Sequence, residues 1–270
     1  MGLFGKLFDK KECSICGGEI GLLGNRKLED GNLCKACAGK LSPWFDDRRH
    51  STVEQIAEQL EYREANREKV AACTITRTLG ENMKVLLDED AGQFMVTSSS
   101  RLAEANPDVI SFSDVTGCVL DIEEDRVELM RENAEGEEVS YNPPRYVYEY
   151  DFDVTIYVRN PYFDDIQFRL NPSTVSVEER KAGNATTLRI GSAALNFGDK
   201  FDPTQDLEYR QYKEMGEEIK AVLLQARQQA REEKAAAEAP KVAVTCPFCG
   251  AQTIPTANGR CEYCDGAIGK

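Results

Sequence analysis

The chain has 270 residues, with 33 Lys and Arg, 47 Asp and Glu, one His, ten Cys and a formal charge of −14. That length supports a substantial core and about two ordinary domains, or one with small satellites. A single histidine largely excludes catalytic classes built on several, and no apolar run approaches the roughly 20 residues that a membrane-spanning helix needs.

Residues 1–12 read as a short amphipathic segment, with Leu3, Phe4, Leu7 and Phe8 on one helical face and Lys6, Lys10 and Lys11 close by. They have neither the long apolar core nor the small-residue cleavage site of a secretory signal. Residues 13–50 carry Cys13-x-x-Cys16 and, after a gap of 17 residues, Cys34-x-x-Cys37. Gly17 after the second cysteine permits the left-handed turn that aims backbone N–H groups at sulfur. Gly24-Asn25 and Asp30-Gly31-Asn32 signal a short hairpin, and Cys34 to Leu41 resembles the first turn of a helix stopped by Pro43. Knuckle, hairpin and ligand-bearing helix predict a treble-clef-like zinc finger.

Residues 51–72 predict a connecting amphipathic helix. Ser51 with Glu54 fits a capping box, and Val53, Ile56, Ala57 and Leu60 recur at helical spacing before the polar run Glu61 to Lys69. His50, just before it, reads as an exposed polar residue.

From Cys73 to Ala226 the pattern predicts a β-rich middle domain with a closing helix. Met83–Leu87 and Gln93–Thr97 flank a turn at Asp88–Gly92 and read as a hairpin. Asp88 and Asp90 fit a solvated acidic turn, because the spacing of a calcium loop is incomplete. Strand-like runs follow at Val109–Phe112 and Gly117–Ile122. The clearest strand starts after Pro143-Pro144: Tyr146, Tyr148, Tyr150, Phe152, Val154, Ile156 and Val158 share one face, to be packed in the core, while Glu149, Asp151, Asp153 and Thr155 share the other. Ile166, Phe168 and Leu170 read as its partner, and Leu188–Ile190 and Ala193–Phe197 as further short strands. Asp202-Pro203 marks a helix start, and Leu207, Tyr212, Met215, Ile219, Val222, Leu223 and Ala226 repeat at helical spacing. Residues 227–240 continue as a helical spacer ended by Pro240. Residues 241–270 hold Cys246-x-x-Cys249 and, 11 residues on, Cys261-x-x-Cys264, a compact zinc ribbon.

Two short cysteine pairs can close a tetrahedral shell around Zn²⁺. The metal ligands are therefore expected to be Cys13, Cys16, Cys34 and Cys37 at one site and Cys246, Cys249, Cys261 and Cys264 at the other, with two structural zincs per chain. Disulfides would need strained bridges between residues three apart and an oxidising compartment. Redox chemistry at a Cys-x-x-Cys pair would need an open thiol and a strand–helix context, and neither is evident. Cys73 and Cys118, the two unpaired thiols, fall in strand-like contexts where cysteine behaves as a small apolar residue.

The charge is partitioned. Residues 1–50 hold nine basic and seven acidic residues, residues 241–270 three and two, and the middle 21 and 38. Such an acidic body repels phosphate backbones. Each zinc held by four thiolates adds a formal −2, so two filled sites take the chain to about −18. Lys10, Lys11, Lys27, Lys35, Lys241, Arg260 and Lys270 are read as local compensation for these centres.

Residues 13–45, from Cys-Ser-Ile-Cys-Gly-Gly-Glu-Ile-Gly through Leu-Cys-Lys-Ala-Cys to Pro43-Trp44-Phe45, resemble N-terminal four-cysteine domains of unknown function found in Firmicutes and related bacteria. With Ser51-Thr52-Val53-Glu54 and Thr245-Cys246-Pro247-Phe248-Cys249-Gly250, the layout is similar to uncharacterised full-length members of that group. The resemblance implies zinc and a cytoplasmic bacterial setting. The middle domain is similar in layout to pleckstrin-homology-like domains, which implies an α+β fold: a bent antiparallel sheet or barrel closed by a C-terminal helix. A β-sandwich is the alternative.

The functional expectation is a non-enzymatic cytoplasmic zinc-binding adaptor or scaffold that engages a protein partner, with no catalytic residue. One alternative is weak peripheral contact with the inner face of the membrane through residues 1–11 and the middle domain. The other is a transcription-associated or nucleic-acid-binding zinc ribbon, against which the sparse basic and aromatic residues of 241–270 argue.

Overall fold

The computed structural model describes residues 11–179, 186–190, 193–197, 201–238, 243–256 and 258–268. The amphipathic segment before Lys11 lies outside them, as do Pro240, Lys241 and Lys270. The chain divides into two compact units, Met1–Arg227 and Gln228–Lys270.

The first unit begins with β1 (Lys11–Glu12), β2 (Glu19–Ile20), β3 (Arg26–Lys27), β4 (Asn32–Leu33) and the short helix α1 (Lys35–Ala38). β1 pairs with β2 and β3 with β4, both antiparallel. Ile20, Leu28, Leu33 and Leu41 bury against Ile56 of α2 (Val53–Ala72), so this small module shares one core with the helix behind it. The cap of α2 sits one residue later than expected: Thr52 Oγ1 accepts from Gln55 N–H, and the Gln55 side chain accepts from Thr52 N–H. Ser51 is instead buried, donating to the Asp47 carbonyl.

The polar run Glu61 to Lys69 of α2 is largely exposed but not on every side. Arg63 and Asn66 are buried. The Arg63 guanidinium donates to Asp108 Oδ1 at 2.7 Å, to the Lys40 carbonyl at 3.3 Å and to the Asn106 carbonyl. Asn66 donates to Asn106 Oδ1 and the Pro107 carbonyl and accepts from Val109 N–H. Ser42 Oγ completes the set on Asp108 Oδ2 at 2.8 Å. Each of these buried groups finds partners, as burial of polar atoms demands.

The next sheet runs in the order β5 (Arg77–Leu79), β6 (Lys84–Asp88), β7 (Gln93–Thr97) and β8 (Ile110–Ser111), all antiparallel, with the short helix α3 (Leu102–Ala105) before β8. The β6–β7 hairpin forms as read. Asp88, however, is 2% exposed and not solvated. Its carboxylate accepts from Thr74 N–H, Ala91 N–H and Gln93 Nε2, which fixes both the turn and the chain entering β5.

β9 (Val115–Glu132) and β10 (Glu138–Val158) form a long antiparallel ribbon, flanked by β11 (Asp165–Arg169) and β12 (Val175–Glu178), both paired with β10. β10 continues through Pro143-Pro144 back to Glu138, and the register shifts between Ser140 and Arg145. A bulge there is expected, since proline has no N–H for the ladder. Core packing holds for Tyr150, Phe152, Val154, Ile156 and Val158, all buried. Tyr146 and Tyr148 lie only half-buried, with the Arg126 guanidinium 3.5 Å from the Tyr146 ring centroid. β13 (Thr186–Ile190) and β14 (Ala193–Phe197) pair antiparallel as a separate two-stranded sheet.

α4 (Leu207–Glu238) packs its first half on the ribbon. Tyr209 stands edge-on to Tyr150 and Phe152, and Tyr212 tilts against Phe152 at 5.8 Å. Arg77 to Glu218 and Gln211 to Glu81 tie the same helix to β5 and the turn after it. The architecture is mixed α+β with antiparallel sheets, and among the described residues none closes into a barrel. Among these residues the β5–β8 and β9–β12 sheets share no paired strand, so no ladder runs from one to the other. Ser111 Oγ accepts from Ser113 N–H and caps the 3₁₀ turn Phe112–Asp114 that separates β8 from β9.

The second unit takes the last part of α4 and a small hairpin, β15 (Val244–Thr245) with β16 (Gln252–Thr253).

Candidate metal centres

The structure brings the eight predicted cysteines into two groups, Cys13, Cys16, Cys34 and Cys37, and Cys246, Cys249, Cys261 and Cys264. In each, the four sulfurs lie within 4.8 Å of one another. Cys16 and Cys34 Sγ are 3.8 Å apart, Cys246 and Cys264 3.6 Å, and Cys249 and Cys261 3.7 Å. A disulfide would require about 2.05 Å. Four ligands at about 2.3 Å from a tetrahedral zinc stand about 3.8 Å from one another, so both groups have the size of a zinc thiolate shell.

The first group is built from one knuckle and one helix. Cys13 N–H donates to the Gly18 carbonyl and Gly17 N–H to the Cys13 carbonyl, with Gly17 at φ +68. Cys34 is the N-cap of α1, so its sulfur accepts from Cys37 N–H at 3.3 Å while its own N–H donates to Cys13 Sγ at 3.3 Å. The helix N-terminus thus faces the sulfurs, where developing negative charge is favoured.

The second group is built from two knuckles with the same bonds. Cys246 N–H donates to the Ala251 carbonyl and Gly250 N–H to the Cys246 carbonyl. Cys261 N–H donates to the Gly266 carbonyl and Asp265 N–H to the Cys261 carbonyl. Gly250 and Asp265 take positive φ, +72 and +56. The aspartate is held there by Arg260, whose Nη1 donates to both the Asp265 carbonyl and carboxylate. Arg260 therefore positions a knuckle, a role that charge counting alone missed. The recurring Cys-x-x-Cys-(Gly/Asp) pattern was the available signal for it.

The thiols in each group cannot all ionise side by side. Burial raises Cys13, but N–H donors from Cys16, Cys34 and Ile15 outweigh it and hold it at about 6. Burial, then contact with the other three sulfurs, pushes Cys37 up to about 12. In the second group burial raises Cys246 against the N–H donors of Cys249 and Phe248, which bring it to about 7. Gly266 N–H lowers Cys264, but contact with Cys249, burial and the remaining sulfurs carry it to about 12. A dication at the centre of each group removes this conflict, so the donor set fits Zn²⁺.

The remaining candidates stand apart from these centres. His50 Nδ1 lies 2.7 Å from Asp47 Oδ1 on an exposed 3₁₀ turn. Burial pushes both Cys73 and Cys118 up to about 11. Among the described helices, none is long and apolar enough to cross a membrane.

Residues 11–59 match a family described as a domain of unknown function (DUF4428), which spans the first cysteine group, its hairpins and the start of α2. No curated protein and no solved structure matches the chain.

Proposed function

We propose that this chain is a non-enzymatic zinc-binding adaptor whose two four-cysteine modules each hold one structural Zn²⁺ and present surfaces to protein partners. The observation that carries the reading is the pair of four-sulfur groups of zinc-shell dimensions, each supported by backbone N–H donors to sulfur. Four protein ligands leave no open coordination position for a substrate or water, which favours a structural ion. The two remaining thiols sit far above physiological pH and are poor nucleophiles. A reducing, cytoplasmic compartment suits eight thiols kept for metal. A pleckstrin-homology-like middle domain is proposed on element order, an antiparallel sheet followed by a long helix packed on it.

Metal analysis of the full chain tests the foundation, with about two zincs per chain expected. Crosslinking and pull-down then test the adaptor role. A partner lost on replacing Cys261 and Cys264 by serine supports docking through the C-terminal module, and an unchanged partner set counts against it.

A further inference from the structure

The loop joining β2 to β3 carries an apolar pair that the zinc centre does not use. Gly21 and Gly24 bracket Leu22 and Leu23, and Gly24 N–H closes the turn on the Gly21 carbonyl at 2.9 Å. Leu22 is 81% exposed and Leu23 90% exposed. The hydrophobic core of the same module takes Ile20 and Leu28 on either side of the loop, so the two leucines are left outside a core that is already complete.

Cations border this tip. Arg26 Nη1 donates to the Leu23 carbonyl at 3.4 Å, and Lys27 follows it on β3. Arg48 Nη1 donates to the Lys27 carbonyl at 2.6 Å, which brings the Arg48–Arg49 pair to the same strand. Burial, then the neighbouring charges of Arg26 and Arg49, lower the Arg48 guanidinium, as expected where like charges crowd. The nearby acids include Glu12 and Glu19, which face each other across β1 and β2, Glu29 and Asp30, which follow Lys27 and Leu28, and Asp46 and Asp47, the latter engaged by His50.

Lys11 of β1 pairs with Ile20, next to Gly21 at the base of the loop, and adds one more cation there. A convex tip of two leucines flanked by glycines, with arginines and lysines behind it, matches a lipid surface: apolar side chains below the headgroups and cations at the phosphates.

We propose that the Gly21–Asn25 loop is a membrane-insertion tip, with Leu22 and Leu23 entering the acyl boundary of an anionic bilayer and Arg26, Lys27, Arg48 and Arg49 meeting lipid phosphates. This goes beyond the adaptor reading and needs zinc only to hold the module folded. Two leucines bind weakly by themselves, so the charges supply the second signal that stable attachment requires.

Flotation of the full-length, zinc-loaded chain with phosphatidylcholine–phosphatidylglycerol vesicles and with pure phosphatidylcholine vesicles tests it. The wild type is expected to float with the anionic vesicles alone and to be released by salt. Leu22→Ser with Leu23→Ser should lower binding at least about tenfold with zinc content and Tm unchanged. Arg26→Gln with Lys27→Gln should weaken binding and flatten its salt dependence. Leu23→Trp should shift its emission to the blue on anionic vesicles. Absence of wild-type binding overturns the proposal, as does a serine double variant that floats like the wild type, including the case where residues 3–8 alone carry attachment. A wild-type dimer that the double variant converts to monomer would also overturn it, assigning the leucines to a second copy of the chain. Zinc content, measured in every sample, separates failure of the tip from failure of the metal reading.

Discussion

The Arg63 guanidinium and the Asp108 carboxylate form a buried ion pair at 2.7 Å that fastens α2 to the segment leading into β8. Arg63 also takes the Lys40 carbonyl and Ser42 bonds Asp108, so the chain leaving the first cysteine group ends on the same pair. The position of the metal module on the middle of the unit is therefore set by polar bonds as well as by Ile56. Replacing Arg63 by Met strands a buried carboxylate and should cost about 3–5 kcal/mol, as breaking one side of a buried pair does. Arg63→Met with Asp108→Leu should cost less than the two single changes added together, because no lone charge is then buried. Urea denaturation of the four proteins of the cycle measures this coupling.

Chelation should affect the two modules unequally. The first group shares a core of Ile20, Leu28, Leu33, Leu41 and Ile56, which survives in part when the ion leaves. Among the described residues of the second unit the buried ones are Cys246, Cys261 and Thr253, so the ion is the main organiser there. Hydrogen exchange after treatment with a strong chelator should show full loss of protection over 243–268 and partial loss over 11–50. Cys261→Ser should reproduce only the first effect and Cys34→Ser only the second.

The two four-cysteine groups were legible in the sequence because Cys-x-x-Cys brings two sulfurs together within one turn, and nothing distant is needed to recognise it. The 84–97 hairpin and the buried face of β10 were legible for the same local reason, a period of two between turn residues. What was hidden depended on partners far along the chain. Arg63 and Asn66 look like surface residues of a polar helix until Asp108 and Asn106 are brought to them from 45 and 40 positions away. The outer half of β9 was hidden because Glu123, Glu124, Asp125 and Arg126 break the apolar alternation, although every one of them pairs with a residue of β10. The expected barrel was not decidable from periodicity, because closure depends on pairing between strands of the β5–β8 and β9–β12 sheets, and among the described residues these share no ladder.

Asp88 gives a pH dependence whose sign follows from its hydrogen bonds. Thr74 N–H, working against burial and joined by Ala91 N–H and Gln93, holds its carboxyl below the ordinary carboxylate value. A depressed folded-state pKa adds stability that is fully present above the unfolded value of about 3.9. That stability is lost as pH falls through the folded value. Asp88→Asn should therefore be less stable than the wild type at neutral pH, and the gap should close progressively below about pH 4. Denaturation of both proteins from pH 7 downward measures it as a difference, in which acid release of metal is common to the pair.

Gly80 tests a turn. It sits at φ +85, and a Cβ there would fall 2.2 Å from the Met83 carbonyl oxygen. Backbone cannot swing away as a side-chain end can, so Gly80→Ala combines positive-φ strain with a backbone clash. The loss should exceed about 1 kcal/mol. Gly216→Ala is the contrasting case. Its Cβ would meet Leu120 Cδ1 at 2.6 Å, which is the movable end of a leucine, and alanine favours the helix. Thermal unfolding should place Gly80→Ala well below Gly216→Ala.

Gln59 lies one turn before Arg63 on α2 and is fully buried, yet among the described residues neither its Oε1 nor its Nε2 meets a hydrogen-bond partner. Its neighbours on the helix are satisfied in full, so the cost falls on this side chain alone. A buried amide without partners opposes folding by about 1–3 kcal/mol, and methionine has nearly the same length with no such requirement. Gln59→Met is therefore expected to raise the midpoint of urea unfolding with no change in its slope. A lower midpoint would mean that the amide is paired through water, and that the buried polar seam of α2 extends one turn further toward the metal module than its direct bonds.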